Sequence, residues 1–225
     1  MPTLTGRAVA EFLGTFGLIF FGAGAVVTSG TGGFGLLGIA LVHAIVLSVM
    51  VSSTMAVSGG HLNPAVTIGF LATRRIDGKT AGVYIVSQLI GAIVAALAIK
   101  ALLPAPMVRA TIGGTPQLAG TLTLSLGIAM EAVLTFFLVS AVFGTAVNPN
   151  APKIGGFGIG LTLFFDIMVG GPFTGAAMNP ARAFGPSVAS GVWTSHAVYW
   201  IGPIIGAVAA ALLWDRVILP KTSEK

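Results

Sequence analysis

Two identical triplets, Asn63-Pro64-Ala65 and Asn179-Pro180-Ala181, recur 116 residues apart and are the residues best placed to do chemistry. An Asn side chain can accept from the free amides of a helix start, and Pro at the first helical position gives up no hydrogen bond. Each triplet therefore reads as the opening of a helix. The apolar stretches that follow, 63–72 and 179–189, hold only about ten residues. That is roughly 15 Å of helix, half of a bilayer core of about 30 Å. Entering from opposite sides, the two starts meet near the midplane with their positive dipole ends together. Non-helical backbone at that depth is tolerated only where it is buried in protein or lines a water-filled cavity. The segments before each Asn, Gly59-Gly60-His61-Leu62 and Gly175-Ala176-Ala177-Met178, are therefore expected to show carbonyls to a polar pore. Gly59, Gly60, His61, Gly175, Ala177 and Met178 are the carbonyl candidates. Two side-chain amides and a ladder of carbonyls suit water passing in single file.

The elements that hold these segments follow from composition. Of 225 residues, 55% are hydrophobic and 8% charged, far from the roughly 25% charged of a soluble domain. Apolar runs at about 7–28, 35–57, 80–102, 122–145, 156–171 and 195–218 have the length of membrane spans. The first run lacks the cleavage site of a secretory signal and is expected to remain as a helix. Glu11, Thr15 and Phe16 recur as Glu131, Thr135 and Phe136, and Val83-Tyr84 with Gly91 recurs as Val198-Tyr199 with Gly206. Each half holds three spans, so the second enters upside down, an inverted repeat of about 1–103 and 121–225 within one membrane domain, 1–225. The stretch 103–121, rich in Pro, Gly and Thr, reads as an external crossover loop. Arg7, Arg74, Arg75, Lys79, Lys153, Arg216, Lys221 and Lys225 fall on one side, with Lys100 and Arg109 opposite. By the positive-inside rule both termini are cytoplasmic. The plasma membrane or a cell inner membrane is the expected location.

The segments GGHLNPAVT (59–67), GAAMNPAR (175–182), AEFLGTF (10–16) and YWIGP (199–203) resemble the aquaporin, or major intrinsic protein, family over essentially the whole chain. The resemblance implies an all-α membrane fold of six transmembrane helices and two half-helices in an inverted repeat. It implies a passive channel for water that excludes protons and ions, because the two Asn amides orient the central water while the dipole ends and an Arg deter cations. It implies a homotetramer in the lipid bilayer and no cofactor. The family's narrowest point maps by spacing onto His43, Ile167, Ala176 and Arg182. Water-strict members carry Phe and His where His43 and Ile167 stand, and the His/Ile pattern resembles plant tonoplast intrinsic proteins. Such a ring is wider and less uniformly hydrophilic, which brings ammonia, hydrogen peroxide and urea within reach. Glycerol facilitators of the family carry Asp after the Arg, where this chain has Ala183. The family uses intramembrane Glu residues to hold the loops before the half-helices, a role that falls to Glu11 and Glu131.

Several residues also admit plainer readings. His43 could be a packed core histidine, and His61 could hold the bend before Asn63 rather than meet solute. Asp166, beside a filter position, could pair with a cation at the outer mouth or face a vestibule. Gly156-x-x-x-Gly160 and Gly202-x-x-x-Gly206 fit helix packing within one subunit. An alternating-access transporter shares the inverted repeat and broken helices, but no acid lies beside the Asn pair in sequence to bind a coupling ion. A closed-pore structural membrane protein is the other alternative. The basic residues are scattered, which argues against nucleic acid. No Cys, metal spacing, phosphate loop or nucleophile-base pair points to an enzyme or a metal site.

Overall fold

The structure is a computed structural model that describes residues 2–30 and 32–219. Lys221 and Lys225 lie outside the described residues. Among the described residues, six helices are long and apolar enough to cross a bilayer. They are α1 (Leu4–Ser29), α2 (Gly35–Ser58), α4 (Gly78–Leu102), α6 (Leu124–Val142, extended by a π turn to Val147), α7 (Phe157–Thr174) and α9 (Val198–Leu213, extended by a π turn to Ile218). Two short helices, α3 (Pro64–Ala72) and α8 (Pro180–Ser190), are the half-length segments, about 14 and 17 Å long. Their first residues are the two prolines, each capped by its Asn.

Beyond shifts of a few residues at the helix ends, two readings of the sequence differ from the fold. Helix α7 does not stop before Pro172 but runs to Thr174. Gly175, in the left-handed conformation, closes it by donating its N–H to Gly171 O at 3.0 Å. The crossover segment is not a bare loop. Pro104 and Pro106 fix the first turn of helix α5 (Ala105–Ala110), and a 3-10 turn follows over Ile112–Gly114.

Packing repeats across the two halves. Helix α1 packs on α2 and α4 as α6 packs on α7 and α9, α8 lies against α4 as α3 lies against α9, and α2 and α7 meet at the centre. Glycines permit these close approaches. A Cβ at Gly91 would fall 2.6 Å from Phe12 O on α1, and one at Gly206 would collide with Ala132 O on α6. Gly160 presses on Ala44 O of α2, and a Cβ at Gly202 would fall 2.6 Å from Ile128 O of α6. Both small-residue motifs thus serve packing within the chain.

The ends of the bundle are distinct. Arg75, after α3, meets Asp215 in the π turn after α9 at 2.7 Å, at the end where most of the basic residues gather and which the positive-inside rule reads as inner. Lys100 and Arg109 lie together at the opposite end, outer on the same reading.

Candidate pore

The two half-helices meet through their Asn caps. Asn63 Oδ1 accepts from Ala65 N at 2.8 Å, while Asn63 Nδ2 donates to Met178 O at 2.8 Å. Asn179 repeats this, accepting from Ala181 N at 2.9 Å and donating to Leu62 O at 3.0 Å. Each amide uses one of its two N–H groups on the opposite loop and keeps one. Pro64, Ala65, Pro180 and Ala181 are buried in the seam behind them. The Met178 carbonyl, one of the pore candidates, accepts from Asn63 Nδ2 and keeps a second lone pair.

The loops before the caps are bent by positive φ at matched positions, Gly59 with Gly175, Gly60 with Ala176, and Leu62 with Met178. Three of these residues are not glycine, and the left-handed region costs such a residue about 1–2 kcal/mol. Two fully buried carboxylates hold the bends. Glu11 accepts from Ser58 Oγ at 2.6 Å, His61 N at 3.0 Å, Leu62 N at 2.7 Å and Gln88 Nε2 at 2.7 Å. Glu131 accepts from Thr174 Oγ1 at 2.6 Å, Ala177 N at 2.9 Å and Met178 N at 2.7 Å. The repeated tyrosines close each corner, with Tyr84 Oη donating to Ser58 O at 2.7 Å and Tyr199 Oη to Thr174 O at 2.9 Å.

Sequence reasoning missed Ser58, Thr174, Thr67 and Gln88. A hydroxyl five residues before each Asn was a legible signal for the first two. Thr67 and Gln88 had no such signal, because the second half replaces them with Ala183 and Pro203. In the first half Gln88 Nε2 also reaches Thr67 Oγ1 at 3.0 Å, and His61 Nδ1 lies 3.1 Å from the same hydroxyl.

The cavity past these caps is lined on its polar side by His43, Gly60, His61, Asn63, Ala176, Ala177, Asn179 and Arg182, against Leu and Val side chains such as Leu18, Leu47 and Leu138. About 30 Å³ is open there to the centres of water-sized molecules, where one water needs ~10–15 Å³. That leaves room for about two or three waters at a time. The mostly apolar opposite wall offers them no partner, so their hydrogen bonds turn to the amides, the carbonyls and each other. His61 therefore does both things considered for it, lining the lumen and bonding within the bend.

His43 Nδ1 lies 2.8 Å from Ile39 O, so that nitrogen carries the hydrogen and Nε2 is left as the acceptor. Gly22 makes room for the ring, since a Cβ there would come within 2.6 Å of Nε2. Arg182 is buried and its Nη1 donates to Gly114 O at 2.8 Å. Ile167 does not line the narrow lumen. It borders a second cavity of about 250 Å³ at the outer mouth, which Arg182, Gly114 and Gly175 share. Asp166 faces neither cavity. It is buried at 3% exposure with Oδ2 unpartnered, and the one ion pair among the described residues is Arg75–Asp215, so neither the vestibule nor the cation partner expected for it is present.

Residues 2–214 match the family model described as major intrinsic protein. This chain belongs to the major intrinsic protein family. Among its relatives, Aquaporin TIP4-4 of Zea mays is 43% identical over 95% of this chain and 87% of its own length. Probable aquaporin TIP3-2 of Arabidopsis thaliana is 41% identical over 99% of this chain and 87% of its own. The aquaglyceroporin from Plasmodium falciparum shares the fold, with a TM-score of 0.85 at 24% identity, covering 96% of this chain and 97% of that one. The protein is a multi-pass membrane channel that conducts water passively.

Gly114 is a pore-supporting residue that the sequence did not single out. Its φ is +75° and a Cβ would lie 2.6 Å from Ala23 O, so only glycine keeps its carbonyl against Arg182. Gly114→Ala is expected to cost about 1–2 kcal/mol from backbone strain alone and to loosen the arginine. A lowered unfolding midpoint together with faster urea entry into proteoliposomes would show it. An unchanged urea rate would remove the support role.

Proposed function

We propose that His43, Ile167, Ala176 and Arg182 form the solute filter of this water channel and that it passes ammonia alongside water. The observation that carries this is the position of Arg182, which borders both the narrow lumen with His43 and Ala176 and the outer cavity with Ile167. Water and ammonia are alike in size, so a filter separates them by polarity. Ile167 adds an apolar wall where a water-strict ring has its imidazole, which lowers the cost to ammonia of leaving bulk water. The positive ends of α3 and α8, meeting at Asn63 and Asn179, and the Arg182 guanidinium repel cations, so ammonium is refused.

Ammonia-driven alkalinisation of proteoliposomes tests the reading, with water permeability measured in parallel by stopped-flow light scattering. The wild type should exceed protein-free liposomes several-fold in ammonia flux. His43→Phe combined with Ile167→His should abolish that excess while water flow persists. A wild type that conducts no ammonia above background defeats the His/Ile reading and leaves the water channel untouched.

The paired packing supports one channel domain, 1–225, built from two inverted repeats of about 1–103 and 121–225. The apolar residues exposed along α1 and α2, among them Phe21, Leu37 and Ile45, allow further chains to pack beside this one, in keeping with a homotetramer. Cross-linking in the membrane would count the chains. The termini belong on the cytoplasmic side, which the basic inner end supports. The expected plasma or cell inner membrane finds no support in the relatives, which are TIP aquaporins of the tonoplast, and membrane fractionation separates the two compartments.

A further inference from the structure

Outside the pore, Lys100 and Arg109 are the two cations that depart from the basic inner end. The fold brings this pair to one open cavity of about 310 Å³, bordered by the last turn of α4, helix α5 and the end of α8. Lys100 Nζ donates to Ala189 O at 2.9 Å, which anchors the ammonium at the cavity and leaves two of its three N–H groups. Arg109 is exposed, and among the described residues no carboxylate lies within ion-pair distance of either side chain. The described acids are elsewhere: Glu11, Glu131 and Asp166 are buried in the bundle, Asp77 caps the inner end of α4, and Asp215 pairs with Arg75. Ser190 adds a hydroxyl, while Ala96, Val108 and Val192 make the rest of the wall apolar.

We propose that this cavity binds the headgroup of an anionic phospholipid from the outer-end leaflet. The phosphate lies between Lys100 and Arg109, and the start of an acyl chain runs along Val108 and Val192. Basic pockets between membrane helices bind anionic headgroups on the cytoplasmic or matrix side, and the same pairing of cations with a phosphate serves here at the opposite end. The absence of an acid at the described outer end selects the lipid class. A zwitterionic headgroup would bring its own ammonium beside two cations with no carboxylate to receive it, whereas an anionic one supplies the missing charge. The mixed wall separates a lipid from a free anion, because inorganic phosphate would leave the apolar side of the cavity unfilled.

Native mass spectrometry of the detergent-solubilised full chain tests the site, titrating phosphatidylglycerol, phosphatidylcholine of the same acyl chains, and inorganic phosphate. The wild type should hold one phosphatidylglycerol per chain more tightly than phosphatidylcholine. Lys100→Gln with Arg109→Gln should weaken it about thirty-fold, at roughly fivefold for each cation lost near a charged lipid surface. The charge-keeping pair Lys100→Arg with Arg109→Lys should retain the binding, as should Arg74→Gln with Lys79→Gln at the inner end. Equal affinity for the two lipids, or binding unchanged in the neutralised variant, overturns the proposal. Displacement of the lipid by equimolar inorganic phosphate overturns the lipid assignment in favour of a free anion.

Discussion

Glu131→Ala should be among the most damaging single changes in this protein, and more damaging than Glu11→Ala. Glu131 is fully buried and is the shared acceptor for Thr174 Oγ1 and the amides of Ala177 and Met178. Its removal strands three donors at membrane depth. At ~1–3 kcal/mol for each unsatisfied buried group, the loss is about 3 kcal/mol at the low end. Glu11 holds four donors, yet its side of the bundle has a reserve. Gln88 already contacts the carboxylate, and its Oε1 has no partner. With Glu11 gone, that oxygen can turn to accept from the freed donors. The equivalent place in the second half is Pro203, which can do nothing of the kind. Thermal unfolding in detergent should place Glu131→Ala well below Glu11→Ala, and Glu11→Ala combined with Gln88→Ala near Glu131→Ala. A stable Glu131→Ala channel with altered solute preference would move Glu131 from the loop supports to the pore itself.

That asymmetry also shows where the sequence was legible and where it was not. The six spans could be read because a bilayer demands about 20 apolar residues at a stretch, and the half-helices because Asn-Pro is a helix start with a mechanism. The paired Glu residues came through the repeat. What stayed hidden breaks the repeat or belongs to one fold-specific contact. Gln88 and Thr67 have apolar counterparts, so no internal comparison exposes them. Gly114 lies in a stretch whose Gly and Thr residues read as an ordinary loop, and only the folded chain shows its carbonyl meeting a guanidinium 68 residues away. Helix α5 escaped for a similar reason, since two prolines in a short segment suggest a turn until they are seen to occupy its first positions.

Arg182→Val should convert the channel from one that sieves at the outer mouth to one that does not. The guanidinium is buried between the lumen and the outer cavity, and its Nη1 is fixed to Gly114 O. Valine is shorter by most of that side chain and carries no charge. The change therefore enlarges the opening between the two cavities and removes the positive charge nearest to it. The inner counterpart of Arg182 in the repeat is Val66, which also lines the lumen, so valine is a residue this pore already accommodates at the equivalent depth. Folding should survive, because the Asn179 cap accepts from the backbone amides of residues 181 and 182 rather than from the side chain. Urea and glycerol permeability should rise at least tenfold in proteoliposomes while water permeability stays within about twofold, tenfold being about 1.4 kcal/mol of barrier. The Gly114 carbonyl, left without its donor, should make the outer turn easier to open, so amide exchange over 112–115 should quicken. Urea and glycerol rates that match the wild type in a folded Arg182→Val protein would show that the ring around Arg182 does not set the size limit.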